Sequence, residues 1–273
     1  MAAKSSSRID YPPMIVGVGR DFAVDLAREA GKIIRRDFKL GMEKMLKSDN
    51  SIVTPTDIKV NEMVVREVRD RFPTHDVVAE EGSYKVNKAR STYRWVCDPI
   101  DGTVVYSHGV PTSVFSLALT KNGRPLVGVV YDPFLDRMFV APTPRGTDLN
   151  GEQVRVSRND RLKGSIIGLS YWNGAQVGLS KLHERLVDSG AKVLMLGSIT
   201  YMGAMVAAGE FTASVHPARA AYDSTALKII VEEAGGRVTD LFGKDPRRWD
   251  ERLKGSIMSN GLLHDKLVRL MRE

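Results

Sequence analysis

The sequence contains one cysteine, Cys97, in 273 residues. That excludes an intrachain disulfide and a zinc site built from several thiolates, and it fits a reducing compartment. The five histidines are scattered rather than paired at metal-ligand spacing. No apolar run approaches the ~20 residues a membrane-spanning helix requires. Residues 1–13 have an early lysine but no apolar stretch before a small-residue cleavage site, so no secretory signal is read. A cytoplasmic location is expected, with residues 1–12 as a loose tail. There is no Gly-x-Ser-x-Gly elbow, and Cys97 sits in a strand pattern, so nucleophilic catalysis lacks a candidate. Gly17-Val-Gly19 after Met14-Ile-Val hints at a strand and a dinucleotide loop, but Phe22 stands where the third glycine belongs.

Charge of one sign is in modest excess. The net +7 comes without an RNP-type aromatic motif or an uninterrupted Lys/Arg block. A solvated basic surface accounts for it as well as an anionic partner does, so nucleic acid is not the expected partner, although the charge leaves that route open.

What remains is ordinary globular composition, 42% hydrophobic and 27% charged, enough to bury a sizeable core. Phe22, Leu26, Ala30, Ile33, Ile34 and Phe38 recur at three- and four-residue steps, which predicts a long helix ending near Gly41. Val60, Met63, Val64 and Val68 mark a second, closed by Pro73. Strands are expected at 77–79 and 94–97, then as a hairpin of 114–120 and 126–132 around Asn122-Gly123, continued by 137–141. Beyond Gly151 the pattern alternates. Strands at 165–169, 193–196, 212–216 and 237–241 are separated by helices at 179–187, 200–208 and 224–234. This predicts layered helices and sheets, with an N-terminal lobe over 13–150 and a C-terminal lobe over 151–273.

Chemistry concentrates at Asp98-Pro-Ile-Asp101-Gly-Thr103. A strand runs into a turn carrying two acids three residues apart. Such a pair repels itself unless a cation lies between, and all-oxygen donors favour magnesium, manganese or calcium. Alone, the pair reads equally as a solvated acidic turn. Three further acidic turns accompany it: Glu80-Glu81 after an apolar strand, Asp57 before the second helix and Asp223 before another. The last two read equally as helix caps.

Together, residues 53–57 (VTPTD), 79–83 (AEEGS), 98–103 (DPIDGT) and 222–236 (YDSTALKIIVEEAGG) resemble the inositol monophosphatase family, in its order and over roughly residues 20–265. The resemblance implies an α+β layered sandwich of alternating α/β/α/β/α layers, sugar-phosphatase-like. The N-terminal lobe would hold a mainly antiparallel sheet and the C-terminal lobe a mixed one. It implies a magnesium-dependent, lithium-sensitive phosphatase acting on a phosphorylated small metabolite, commonly as a homodimer. Two to three Mg2+ ions, with Mn2+ as a substitute, would be held by Glu80, Asp98, the Ile100 carbonyl, Asp101 and Asp223. Thr103 and Asp57 would prepare the attacking water with help from Glu80, and Gly102 and Thr103 would receive the phosphate.

The same resemblance assigns substrate specificity to Ser198, His216 and Arg219. Lys47 falls where a metal-sensitive loop begins, and as a lone lysine it reads as a surface residue. Three departures stand out: Val104-Val105-Tyr106 follows the threonine without the usual asparagine, Tyr222 replaces a tryptophan, and His216 replaces a glutamate that grips inositol hydroxyls. Histidinol-phosphate phosphatase, fructose-1,6-bisphosphatase and 3′(2′),5′-bisphosphate nucleotidase share the scaffold. A catalytically silent RNA- or protein-binding member is the reading from a different class.

Overall fold

The computed structural model describes residues 13–86, 91–172 and 174–272, so the expected tail at 1–12 lies outside the described residues. Two long helices open the chain, α1 (Pro13–Asp37) and α2 (Pro55–Arg71), with a short hairpin of β1 (Met45–Leu46) and β2 (Ile52–Val53) between them. The stretch around Gly17 and Gly19 that hinted at a strand is helical. Proline at the first described turn costs no hydrogen bond there, and the apolar three- and four-residue spacing carries the helix past both glycines.

A seven-stranded sheet follows: β3 (Asp76–Ala79), β4 (Tyr93–Asp101), β5 (Val114–Lys121), β6 (Arg124–Asp132), β7 (Arg137–Pro142), β8 (Thr147–Leu149) and β9 (Glu152–Val154), side by side in chain order. Only the β3–β4 pair is parallel. The first sheet thus continues past the expected lobe boundary at 150, through a turn at Asn150-Gly151. A one-turn helix, α3 (Thr103–Ser107), leaves the end of β4.

The second sheet is mixed. Its strands are β10 (Ile166–Leu169), β11 (Lys192–Leu194), β12 (Ala213–His216), β13 (Arg237–Thr239) and β14 (Ser256–Ser259), in the order β11-β10-β12-β14-β13. β10 runs parallel to β11 and β12, whereas β14 runs antiparallel to β12 and β13. Helices α4 (Ser180–Asp188), α5 (Ile199–Ala207), α6 (Thr225–Glu233) and α7 (His264–Arg272) complete the chain.

Three apolar clusters define five layers. The first joins α1 and α2 to one face of the large sheet through Ile34, Val64, Trp95 and Leu117. The second lies between the sheets, where α5 and α6 bury Met202, Ile230 and Val231 against Val96, Ala118 and Phe139 on one side and Met258 on the other. The third packs α4 and α7 on the outer face of the small sheet through Leu186, Leu267 and Ile257. Burying each such side chain contributes about 1.5–3 kcal/mol. One close approach sets the middle layer: a Cβ on Gly128 in β6 would come within 2.7 Å of the Ala226 carbonyl and 2.6 Å of Ile229, so α6 rests directly on bare backbone.

Candidate metal and phosphate site

Three acids from two distant segments converge. The ligand oxygens of Asp98, Asp101 and Asp223 lie within 4.8 Å of one another. β4 delivers the first two. Its ladder with β5 breaks between Asp98 and Asp101, where Pro99 has no N–H to offer, and the Asp98 carboxylate accepts the Ile100 N–H at 3.1 Å. Gly102 then turns the chain at φ 90°, and a Cβ there would meet Ser198 Cβ at 3.0 Å, so glycine is required by both angle and space. Asp223 comes from the segment before α6. The cap of that helix is Ser224, whose side chain makes no capping bond; Asp223 is not the cap, and its carboxylate lies with the other two acids.

Asp101 is held by the start of α5. It accepts from Ser198 Oγ, from the Thr200 N–H at 3.1 Å and from Thr200 Oγ1 at 2.9 Å. Ser198 was expected to face substrate. It is wholly buried, and it caps α5 by accepting the Tyr201 N–H while donating to Asp101. Thr200, missed in the sequence, is a second clamp. A Ser-x-Thr pair at a helix start is the signal that could have found it.

Asp57 does two jobs. Its Oδ2 accepts the Thr54 N–H at 2.9 Å and the Thr54 hydroxyl, closing a capping box on α2, while its Oδ1 accepts Thr103 Oγ1 at 3.0 Å. One carboxylate thus serves both the capping box and a hydrogen bond from Thr103. Thr103 Oγ1 also lies 3.1 Å from the Ile100 carbonyl. The substituted turn after Thr103 is braced differently: Tyr106 is buried and donates to the Ile34 carbonyl of α1 at 2.9 Å, and Val105 packs against Gly197.

Lys47 is half-buried and paired rather than free on the surface. Its ammonium reaches Glu80 at 2.8 Å and Glu81 at 2.6 Å, and the charge of both acids raises its pKa against the opposing effect of burial. His216, expected to meet substrate, is fully buried at the end of β12, where Ser224 Oγ approaches its Nε2 at 3.3 Å. Burial there pushes its pKa down to about 3. Ser224 Oγ in turn shares a hydrogen bond with Ser256, so the ring belongs to a polar knot between strands. Arg219 is half-buried; it donates to Gln176 Oε1 and, at 3.4 Å, to the Leu253 carbonyl.

Electrostatics agree with geometry. Burial, then Glu80, Asp101 and Asp223, push the Asp98 carboxyl well above its usual value. Burial, then Asp101 and Glu80, do the same for Asp223. Burial also raises Asp57, Glu80 and Asp101, the last against the pull of Ser198 and Thr200. Among the described residues no lysine or arginine forms an ion pair with Asp98, Asp101 or Asp223. An all-oxygen donor set this crowded and this short of countercharge fits a hard divalent cation.

A five-layer α+β sandwich that gathers such acids beside a Thr–Asp dyad at the end of a strand is a metal-dependent phosphatase. The chain belongs to the inositol monophosphatase family, whose sequence model matches residues 18–273. It is 34% identical over 255 residues to a fructose-1,6-bisphosphatase/inositol-1-monophosphatase of Thermotoga maritima, covering 93% of this chain and 95% of that one. A Nus factor SuhB of Pseudomonas aeruginosa is 32% identical over 231 residues, covering 82% and 85%. Among solved structures, the Thermotoga maritima IMPase superposes with a TM-score of 0.84 at 33% identity, covering 92% and 96%. No helix among the described residues is long and apolar enough to cross a membrane.

Proposed function

We propose that the chain hydrolyses the phosphate monoester of a small metabolite, such as an inositol-1-phosphate-like polyol ester, and that its metal is magnesium. The observation that carries this reading is the meeting of Asp98, Asp101 and Asp223 within 4.8 Å, without ion-paired lysine or arginine among the described residues, beside the Thr103–Asp57 pair. Glu80, Asp98, the Ile100 carbonyl, Asp101 and Asp223 would hold two to three ions. Magnesium, when bound, supplies charge to the phosphoryl oxygens and the leaving oxygen and makes water more acidic.

The chain's own groups do the rest. Thr103 Oγ1, fixed by Asp57, receives a proton of the attacking water, and Asp57 is the base behind it. Water oxygen bonds to phosphorus as the ester P–O bond breaks, and the departing alcohol takes up a proton. The backbone N–H groups of Gly102 and Thr103, at the left-handed turn into α3, receive the phosphate. Ser198 and Thr200 hold Asp101 so that it need not reorganise when charge arrives.

Phosphate release from a panel of esters under magnesium titration tests this. Turnover that EDTA abolishes and magnesium restores is expected, with inhibition by lithium; a chain silent on every ester, yet binding RNA tightly and with steep salt dependence, would overturn it. The name of the Thermotoga relative supports keeping fructose-1,6-bisphosphate on that panel. A homodimer in the cytoplasm is part of the same reading, checked by sedimentation and by localisation of the tagged chain.

A further inference from the structure

Glu80 is not among the three acids whose oxygens meet within 4.8 Å, and its place is set by a turn. β3 pairs in parallel with β4 up to Ala79 opposite Cys97, so the next residues on the two chains, Glu80 and Asp98, leave that register side by side. Neighbouring strands run about 4.8 Å apart, which brings Glu80 to the edge of the acid cluster. The chain then doubles back. Val77 and Tyr84 exchange backbone hydrogen bonds at 2.8 and 2.9 Å. Ser83 Oγ accepts the Ala79 N–H at 3.2 Å and donates to the Ala79 carbonyl at 3.3 Å.

Those bonds close the base of the turn and leave its tip, Glu80-Glu81-Gly82, to groups from elsewhere. Among the described residues two reach it. Lys47 bonds the Glu80 and Glu81 carboxylates, and Asn61 Nδ2 donates to the Gly82 carbonyl at 3.1 Å. A cation acts differently on the two anchors. An ion that takes the Glu80 carboxylate competes with the Lys47 ammonium for the same oxygens, whereas the Asn61 bond is made to backbone and is left intact. Asn61 also lies four residues after Asp57 on α2, on the same helical face. One rigid helix thus carries both the acid that accepts from Thr103 and the amide that holds the Glu80 turn.

Fold stability does not account for this amide. Asn61 is 4% exposed, and because its nitrogen faces a carbonyl, its Oδ1 is left without a hydrogen-bond partner among the described residues. A buried acceptor without a partner costs at least as much as the one donated bond contributes. An apolar side chain of similar volume would carry no such cost.

We propose that Asn61 is a positioning residue for the metal ligand Glu80, holding the 80–82 turn in place when a divalent cation takes Glu80 from Lys47. This rests on the phosphatase reading above and adds to it a residue that touches neither ion nor ester. Groups that support a metal ligand in this way change metal affinity about 10- to 100-fold.

The test compares wild type, Asn61→Leu and Asn61→Gln in the full chain. It reads magnesium affinity by calorimetry, magnesium half-saturation in turnover, and the melting temperature in EDTA. Asn61→Leu is expected to weaken magnesium binding about tenfold, with kcat at saturating magnesium within about twofold of wild type. In EDTA it should melt no lower than wild type, because the unpaired oxygen is gone. Asn61→Gln keeps the donor and should recover part of the affinity. Asn61→Ala reports the same loss of affinity if the leucine variant does not fold. Unchanged magnesium affinity overturns the proposal. So does a loss of affinity in Asn61→Leu accompanied by a lower melting temperature in EDTA, which marks a general packing role. Wild type that binds magnesium but releases phosphate from no ester loses the phosphatase reading and leaves this one to the calorimetry. Wild type that binds no magnesium sinks both.

Discussion

The two ends of β4 treat buried acid in opposite ways. At its start, Asp76 and Asp250 sit around Arg94, at 3.3 Å and 3.6 Å, and Arg248 adds a second cation to Asp250. At its finish, Asp98 and Asp101 are as deeply buried, yet they meet a third acid instead of a base. Within one strand the fold therefore shows that it can neutralise buried carboxylates, and does not do so where chemistry is expected. Desolvated negative charge without a partner costs several kcal/mol per group. A hard cation held there would offset that cost.

That contrast makes opposite predictions for the two ends. Asp98→Asn should lower phosphate release about 100-fold or more by removing an anionic donor, while raising the melting temperature of the protein in EDTA. Loss of less than tenfold, or a lower melting temperature, would contradict the picture. Arg94→Met should do the reverse, lowering stability by about 3 kcal/mol because Asp76 is left buried and unpaired, measured by denaturant unfolding. Activity per folded molecule should change little.

The pH response should separate the ends too. Carboxyls raised from a usual value of 3.8 hold more protons folded than unfolded, so in EDTA the stability conferred by their neutral forms is present at acid pH and falls as pH rises through the folded pKa values. Thermal unfolding from pH 4 to 8 should show this decline, and magnesium should remove it. The smallest effect belongs to Glu80 and Glu81, which Lys47 already pairs. Lys47→Met should destabilise the metal-free protein by about 1 kcal/mol, since the group is partly exposed and water screens its pairs. Magnesium should offset that loss, and an unchanged melting temperature in EDTA would show that the ion pairs with Glu80 and Glu81 contribute nothing.

The acids were legible in the sequence because each sits at the edge of a hydrophobic pattern: just past an apolar strand at Glu80, towards the end of one at Asp98, in the first turn of an apolar helix at Asp57 (expected before that helix) and just before one at Asp223. The layered architecture was legible for the same reason, as long strands and helices carry their periodicity with them. What was not legible depends on contacts between distant segments. Lys47 finds Glu80 across 33 residues, and nothing near it in sequence distinguishes it from a surface lysine. His216 replaces a polar substrate contact in the family pattern, but the strand register that pairs it with Ser256 buries it. Strand β14, an interior strand of the small sheet, reads Ser-Ile-Met-Ser, too polar at its ends to announce itself. Helix α7 carries Leu267, Val268 and Met271 into the outer apolar cluster, with Leu263 just before it, a helical spacing in a segment too short to stand out in the sequence.

The bare backbone at Gly128 has a reach beyond packing. It fixes how far α6 stands from the large sheet, and Asp223 is attached to the near end of that helix, three residues before Ala226. A single methyl group there would act as a wedge under the helix, lifting one corner of the acid triangle away from the two corners anchored on β4. The spacing of the charges is thus set by a residue with no side chain, on a strand that contributes nothing to the chemistry.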